Sequence, residues 1–273
     1  MVSGGDDAFD KRYNLRFANL WEFERTDDGI LLVRYKQYDT SVRDQDGFSP
    51  PIPEGYGPTL PYAEEVWSTI GRDPENKVVI LTGHNGVFVN SNDSRHRQGH
   101  WDARLWSTNL HRVPRSLLAF LDIPTITVGA ANGPATVHAE YLLLCDQVVA
   151  AESATFQDMP HFGRNAVPGD GVNIVWPLLL GWNRGRDFLL SSRTLSAHEA
   201  FELGLVKEVV PDDQVLPRCF ELAREVLRQD EMTLRMTALV LRQQLKMQVA
   251  QYLPHSLAVE GLVFLDQSQR GPR

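Results

Sequence analysis

Apolar residues follow two rhythms along this chain, short unbroken runs and a three-to-four spacing, and the two alternate. The segments KVVILTG (77–83) and PTITVGAANG (124–133) are short apolar runs bounded by turn formers, the pattern of strands buried on both faces. Upstream, residues 21–38 read as two short strands around the turn TDDG, with ILLVRY as the second. Residues 40–61, rich in Gly, Pro and Asp, are expected to form a loop. Helical spacing appears over 61–70, where Ala63, Val66, Trp67 and Ile70 recur, and over 102–120, where Leu105, Leu110, Val113, Leu117 and Leu118 do. Pro114 is expected to break or kink the second of these.

Further along, HAEYLLLC predicts a short buried helix, QVVAAESATFQ a strand, turn and strand, and WPLLLGWNRGRDFLLSS a helical hairpin. Ser196 with Glu199 three residues later predicts a capping box, and Gly204 a helix end. Residues 217–228 and 232–252 predict amphipathic helices with stripes Leu222, Val226 and Met236, Leu239, Leu245, Val249, suited to packing on the body or on another subunit. The first dozen residues are polar and expected to fray. Strand alternating with helix makes the fold class α/β.

Composition narrows the partners. A net charge of -8 and a pI near 5.5 argue against nucleic acid. No run approaches the roughly 18 apolar residues of a membrane span, and the first residues lack the apolar segment of a signal peptide. Cys145 and Cys219 lie far apart, outside any metal-ligand spacing, and read as buried thiols of a cytoplasmic protein.

Missing motifs narrow the chemistry. The chain has no GxGxxG after a strand, no GxxxxGK[ST], no HExxH and no GxSxG. Neither a cofactor nor a metal is therefore expected. Polar residues near strand ends remain. His138 opens an apolar helix, where free N–H groups suit an oxyanion. The plainer alternative is a capping or buried histidine hydrogen-bonded to backbone. His161 and Asp170, nine positions apart, would form an activating imidazole–carboxylate pair if they met. Otherwise they are ordinary loop residues. Glu260, inside the apolar helix HSLAVEGLVFL, has either a buried partner or a solvent-facing position. The polar stretch HNGVFVNSNDSRHRQGHWD (84–102) is either a loop over a pocket or a solvated one.

Taken together, VVILTG, FVNSND, ITVGAANGPATVHAEYLLLCDQVVAAESATFQ, PHF…VPGDG and LGLVKEVV resemble the crotonase (enoyl-CoA hydratase/isomerase) superfamily, most densely between Gly129 and Val210. The resemblance implies a spiral of ββα repeats with C-terminal packing helices, assembled as a trimer or dimer of trimers. It implies a flexible N-terminus at 1–14, a core at 15–210 and a helical region at 211–273. It also implies an oxyanion hole from the backbone N–H groups of Asn90 and His138. Where hydratases carry glycines this chain has Val137-His138-Ala139, and where they carry two catalytic glutamates it has Tyr141 and His161. Both departures argue against ordinary hydration of an enoyl-CoA.

AAESATFQDMPHF…VPGDG, with WP, LLG, NRGR and FLL following, is similar to the branch of β-diketone hydrolases of the 6-oxocamphor hydrolase type. That likeness implies hydrolytic carbon–carbon cleavage of a β-diketone, a His161–Asp170 dyad, an oxyanion-side His138 and an assisting Glu260. One further histidine of that branch meets Leu60, Pro61 or Tyr62 and is missing, and the loop from Gly83 to Trp106 diverges. A coenzyme A hydratase, isomerase or decarboxylase, a biosynthetic tailoring enzyme and a non-catalytic ligand-binding protein are the alternatives.

Overall fold

The computed structural model describes residues 7–17, 20–36, 62–90 and 102–270. Its strands are β1 (Trp21–Arg25), β2 (Ile30–Tyr35), β3 (Val78–Gly83), β4 (Ile126–Ala131), β5 (Gln147–Ala151), β6 (Thr155–Phe156), β7 (Leu195–Ser196) and β8 (Glu208–Val210). Its helices begin with α1 (Asp7–Arg12), α2 (Asn14–Phe17), α3 (Ala63–Arg72), α4 (Ala103–Leu121) and α5 (Glu140–Leu143). They continue with α6 (Val172–Leu180), α7 (Trp182–Ser191), α8 (Ala197–Glu202), α9 (Val215–Val226) and α10 (Glu231–Arg270).

A six-stranded sheet runs in the order β1-β2-β3-β4-β5-β8. The β1–β2 hairpin is antiparallel, and every later pairing is parallel. The turn before β2 needs Gly29, whose φ of 85° lies where a side chain is strained. The fully apolar runs of β3 and β4 are buried along their whole length, as strands covered on both faces must be.

A second, smaller layer lies beyond the ends of these strands. There β6 pairs with β7, while Val89 bridges Ala135 and Ala135 bridges Phe156. After each of β3, β4 and β5 the chain thus takes a short extended step in the second layer and then enters α4, α5 or α6. This is the expected spiral of ββα turns, closed by α9 and α10. The capping box at Ser196 is present, with Glu199 N–H donating to Ser196 Oγ at 3.2 Å.

Four expectations need correction. The fraying expected of the first dozen residues does not hold from Asp7 on, where α1 starts, and Tyr13 is buried, donating to Asp73 and accepting from Asn76. Pro114 sits inside α4 without ending it. The C-terminal segments form one 40-residue helix that runs through Pro254. Its inner face carries Leu234, Ala238, Val249, Leu253 and Leu257, while Met236 faces away from the body. The loop at 40–61, the end of the second strand at 37–38 and most of the polar stretch, 91–101, lie outside the described residues.

Candidate active site

The site forms beyond the C-terminal ends of the parallel strands, where open α/β sheets place ligands. Two loops meet there. A Cβ on Gly133 would lie 1.8 Å from the Gly86 carbonyl, so the segment after β4 rests directly on the segment after β3. The Val89 carbonyl accepts from the N–H groups of Thr136 at 2.7 Å and Val137 at 3.1 Å. Asn90 and His138 are the next residues on these two segments. Among the described residues, none accepts from the His138 N–H. His138 has φ 50°, a left-handed conformation that costs a non-glycine residue about 1–2 kcal/mol.

His161, Asp170 and Glu260 converge on the same place from separate segments. His161 follows the β6 segment, Asp170 precedes the N-terminus of α6, and Glu260 projects from α10. The Asp170 Oδ2 atom lies 3.5 Å from His161 Nε2 and 3.9 Å from His138 Nδ1. Glu260 Oε1 lies 3.5 Å from His161 Nε2. His161 and Glu260 are each only 4 % exposed, so Glu260 has a buried partner and does not face solvent.

Close approach is enforced by Gly169, where a Cβ would meet the Ser256 carbonyl at 2.5 Å and Glu260 Cβ at 2.7 Å. Tyr141, at the position of a hydratase glutamate, is built into the core. Its ring lies 5.8 Å from Trp67 and 5.5 Å from Phe120, and its hydroxyl is 2.6 Å from Ser116 Oγ. Of the positions where the branch histidine is missing, only Tyr62 is among the described residues. It is a left-handed residue at the start of α3.

One expected relationship changes. Asp170 does not hold the far nitrogen of the His161 ring. That position belongs to Asp158, whose Oδ1 is 2.5 Å from His161 Nδ1. His138 has an equivalent partner, Glu140 Oε1 at 2.7 Å from Nδ1. Sequence reasoning missed both carboxylates, although each stands close to its histidine, in DMPH and HAE. Apolar surroundings masked them: one lies before a turn and the other inside an apolar helix.

Two imidazoles thus share four carboxylates, and the charges follow. Burial disfavours an imidazolium at His161, but the Asp170 charge and hydrogen bonds to Asp158, Asp170 and Glu260 outweigh it and raise its pKa well above the usual value. Burial likewise opposes the His138 cation, yet Glu140, by charge and hydrogen bond, lifts it to about 8. Burial works against the Asp170 carboxylate too, and is overcome mainly by the His161 charge, so Asp170 titrates below the ordinary range. For Glu260 burial prevails and pushes the carboxyl up to about 7. Among the described residues, no group of three or more His, Cys, Asp or Glu is arranged to hold a metal ion.

Comparison with known proteins agrees with this architecture. Residues 63–270 match the family model described as enoyl-CoA hydratase/isomerase. A solved structure of a β-diketone hydrolase from the cyanobacterium Anabaena sp. PCC 7120, bound to (S)-3-oxocyclohexyl acetic acid, superposes with a TM-score of 0.83. It is 35 % identical, over 95 % of this chain and 98 % of that one. The crotonyl-CoA hydratase of Syntrophomonas wolfei subsp. wolfei is 26 % identical over 78 % of this chain and 82 % of its own length. A 4-chlorobenzoyl coenzyme A dehalogenase from an Arthrobacter species is 31 % identical, over 54 % of this chain and 55 % of its own. The chain belongs to the enoyl-CoA hydratase/isomerase, or crotonase, family and resembles its β-diketone hydrolase branch.

Proposed function

We propose that the chain is a hydrolase that cleaves the carbon–carbon bond between the two carbonyls of a β-diketone, cyclic or bicyclic, by a retro-Claisen reaction. The observation that carries this reading is the convergence of His138, His161, Asp170 and Glu260 in a fold whose two hydratase-acid positions hold Tyr141 and His161. A water beside His161 Nε2 attacks one carbonyl carbon and yields its proton to the coupled His161–Asp170–Glu260 group. With carboxylates at both nitrogens, His161 rests as an imidazolium. The net acceptor is therefore this group, which takes its next proton at Glu260, near 7.

The His138 imidazolium and the backbone N–H groups of Asn90 and His138 steady the oxyanion. Collapse of the tetrahedral intermediate breaks the carbon–carbon bond, and its electron pair becomes an enolate. The stored proton then returns to the enolate carbon. One water enters and one keto acid leaves, without a cofactor. The ligand of the Anabaena hydrolase carries a ring ketone and a carboxylic acid, the two groups that hydrolysis of a bicyclic β-diketone leaves.

The test is turnover of bicyclic β-diketones in ¹⁸O-labelled water. One labelled oxygen should appear in the carboxylate, and His161→Ala should lower kcat by at least about 10²-fold. Hydration of an enoyl-CoA ester without diketone turnover would overturn the reading in favour of the chemistry named for several relatives.

A further inference from the structure

We infer that Asp158 and Glu140 are positioning residues, each seating one carboxylate oxygen on the Nδ1 atom of one site histidine, so that each ring is held as an imidazole–carboxylate couple and His161 turns Nε2 toward Asp170 and Glu260. The two Nδ1 contacts are alike, although Asp170 approaches His161 at Nε2 and His138 at Nδ1. His161 Nδ1 meets Asp158 at 2.5 Å and His138 Nδ1 meets Glu140 at 2.7 Å. Asp158 is 4 % exposed and Glu140 1 %.

Other inward-facing carboxylates of this chain make clear what a structural role requires. Asp73 accepts from Tyr13, from the Glu75 N–H and from the guanidinium groups of Arg12 and Arg25. Asp146 accepts from the Thr127 N–H and hydroxyl and from Arg242. Each of those anions is neutralised by arginine and saturated with donors. Asp158 and Glu140 differ: among the described residues, one histidine is the only hydrogen-bonding side chain on each, and the second oxygen, Asp158 Oδ2 or Glu140 Oε2, has no partner. A buried carboxylate so poorly satisfied costs stability. It ties no two elements together, since Glu140 is two residues from His138 and Asp158 three from His161. What each does is set the orientation, tautomer and charge of a ring.

The charged groups facing these rings come from four segments. His161 faces Asp158 from its own turn, Asp170 from the loop before α6, Glu260 from α10 and His138 from the loop before α5. His138 faces Glu140, Asp170 and His161. The role of the rings in turnover rests on the diketone reading, whereas the couples themselves do not.

The closing experiment is nuclear magnetic resonance titration of the histidine rings in the full-length, substrate-free protein, with Asp158→Asn and Glu140→Gln beside the wild type. In the wild type both rings should carry a downfield Nδ1 proton and remain imidazolium at pH 7. Asp158→Asn should lower the His161 titration by at least about one pH unit while moving His138 less, and Glu140→Gln should do the reverse. On a turned-over diketone, Asp158→Asn should lower kcat at least about 10-fold and leave KM within about 3-fold, and Glu140→Gln should shift the alkaline limb downward. The inference is overturned if the wild-type rings titrate as ordinary histidines, or if a folded Asp158→Asn protein keeps the wild-type His161 titration. If a variant does not fold, the wild-type spectra decide alone. Couples present in a protein inert toward every diketone would sink the proposed reaction and spare the inference.

Discussion

His161 has carboxylates at both ring nitrogens, so at neutral pH it holds a proton where a free imidazole base would not. The pH dependence then falls on its neighbours. Glu260, held near 7 by burial, must be ionised for its group to accept the proton of water. His138, lifted to about 8 chiefly by Glu140 against burial, must be protonated to face an oxyanion. The signs oppose each other. As pH falls through about 7 the acceptor is lost, and as pH rises through about 8 the donor is lost. A narrow bell in kcat/KM is expected, with macroscopic limbs near those values. Glu260→Gln should remove the acid limb from the residual activity. A flat profile between pH 6 and 9, roughly spanning both limbs, would mean that neither group takes part.

Between elements, the site depends on the contact of the Gly169 loop with α10. A methyl at Gly169 has nowhere to go, with the Ser256 carbonyl and Glu260 Cβ both inside van der Waals range. Gly169→Ala should cost about 1–3 kcal/mol in a urea melt. It should lower kcat by about 10²-fold, because separating Asp170 from Glu260 by about 1 Å spoils the reacting geometry. Gly261→Ala should strike the same helix from its other neighbour, since a Cβ there would fall 2.0 Å from Trp106 Nε1, which donates to the Leu257 carbonyl. Loss of stability should dominate in that variant.

These contacts also mark how far the chain is legible as a sequence. Buried strands, the Ser196 capping box and the alternation of strand and helix follow from local rules and were readable. His138, His161, Asp170 and Glu260 were readable as candidates, but their meeting was not, because it depends on glycine-permitted approaches between distant segments. Pro114, read as a possible break, misled for a related reason. A proline signals a break when only the helix is considered, and packing of α4 against α10 holds both helices through it. Asp158 and Glu140 sit beside their histidines in the chain, yet a carboxylate in an apolar stretch looks unremarkable until its solvent is gone.

Across the whole molecule, α10 joins the two ends of the sheet. Near one end Arg242 is buried and donates to the carbonyls of Ile123 at 2.6 Å and Thr125 at 2.9 Å, and it pairs with Asp146. Arg242→Ala would leave that aspartate and two carbonyls uncompensated, so about 3–5 kcal/mol of stability should be lost, read from denaturant midpoints. The site histidines should keep their couples in whatever fraction stays folded. A loss under about 1 kcal/mol would show that solvent reaches this end of the sheet.

Glu260 stands 18 residues beyond Arg242 on one uninterrupted helix. At 3.6 residues per turn that is about five full turns, and roughly 27 Å, which brings the carboxylate back to the face that bears the arginine. The chain between them therefore works as a ruler. Its letters can drift across generations, since most of its outward positions are exposed in the chain, but its count cannot. One residue gained or lost there would swing Glu260 by about 100° away from His161. Among descendants that keep the reaction, this stretch should accumulate substitutions freely and insertions hardly at all.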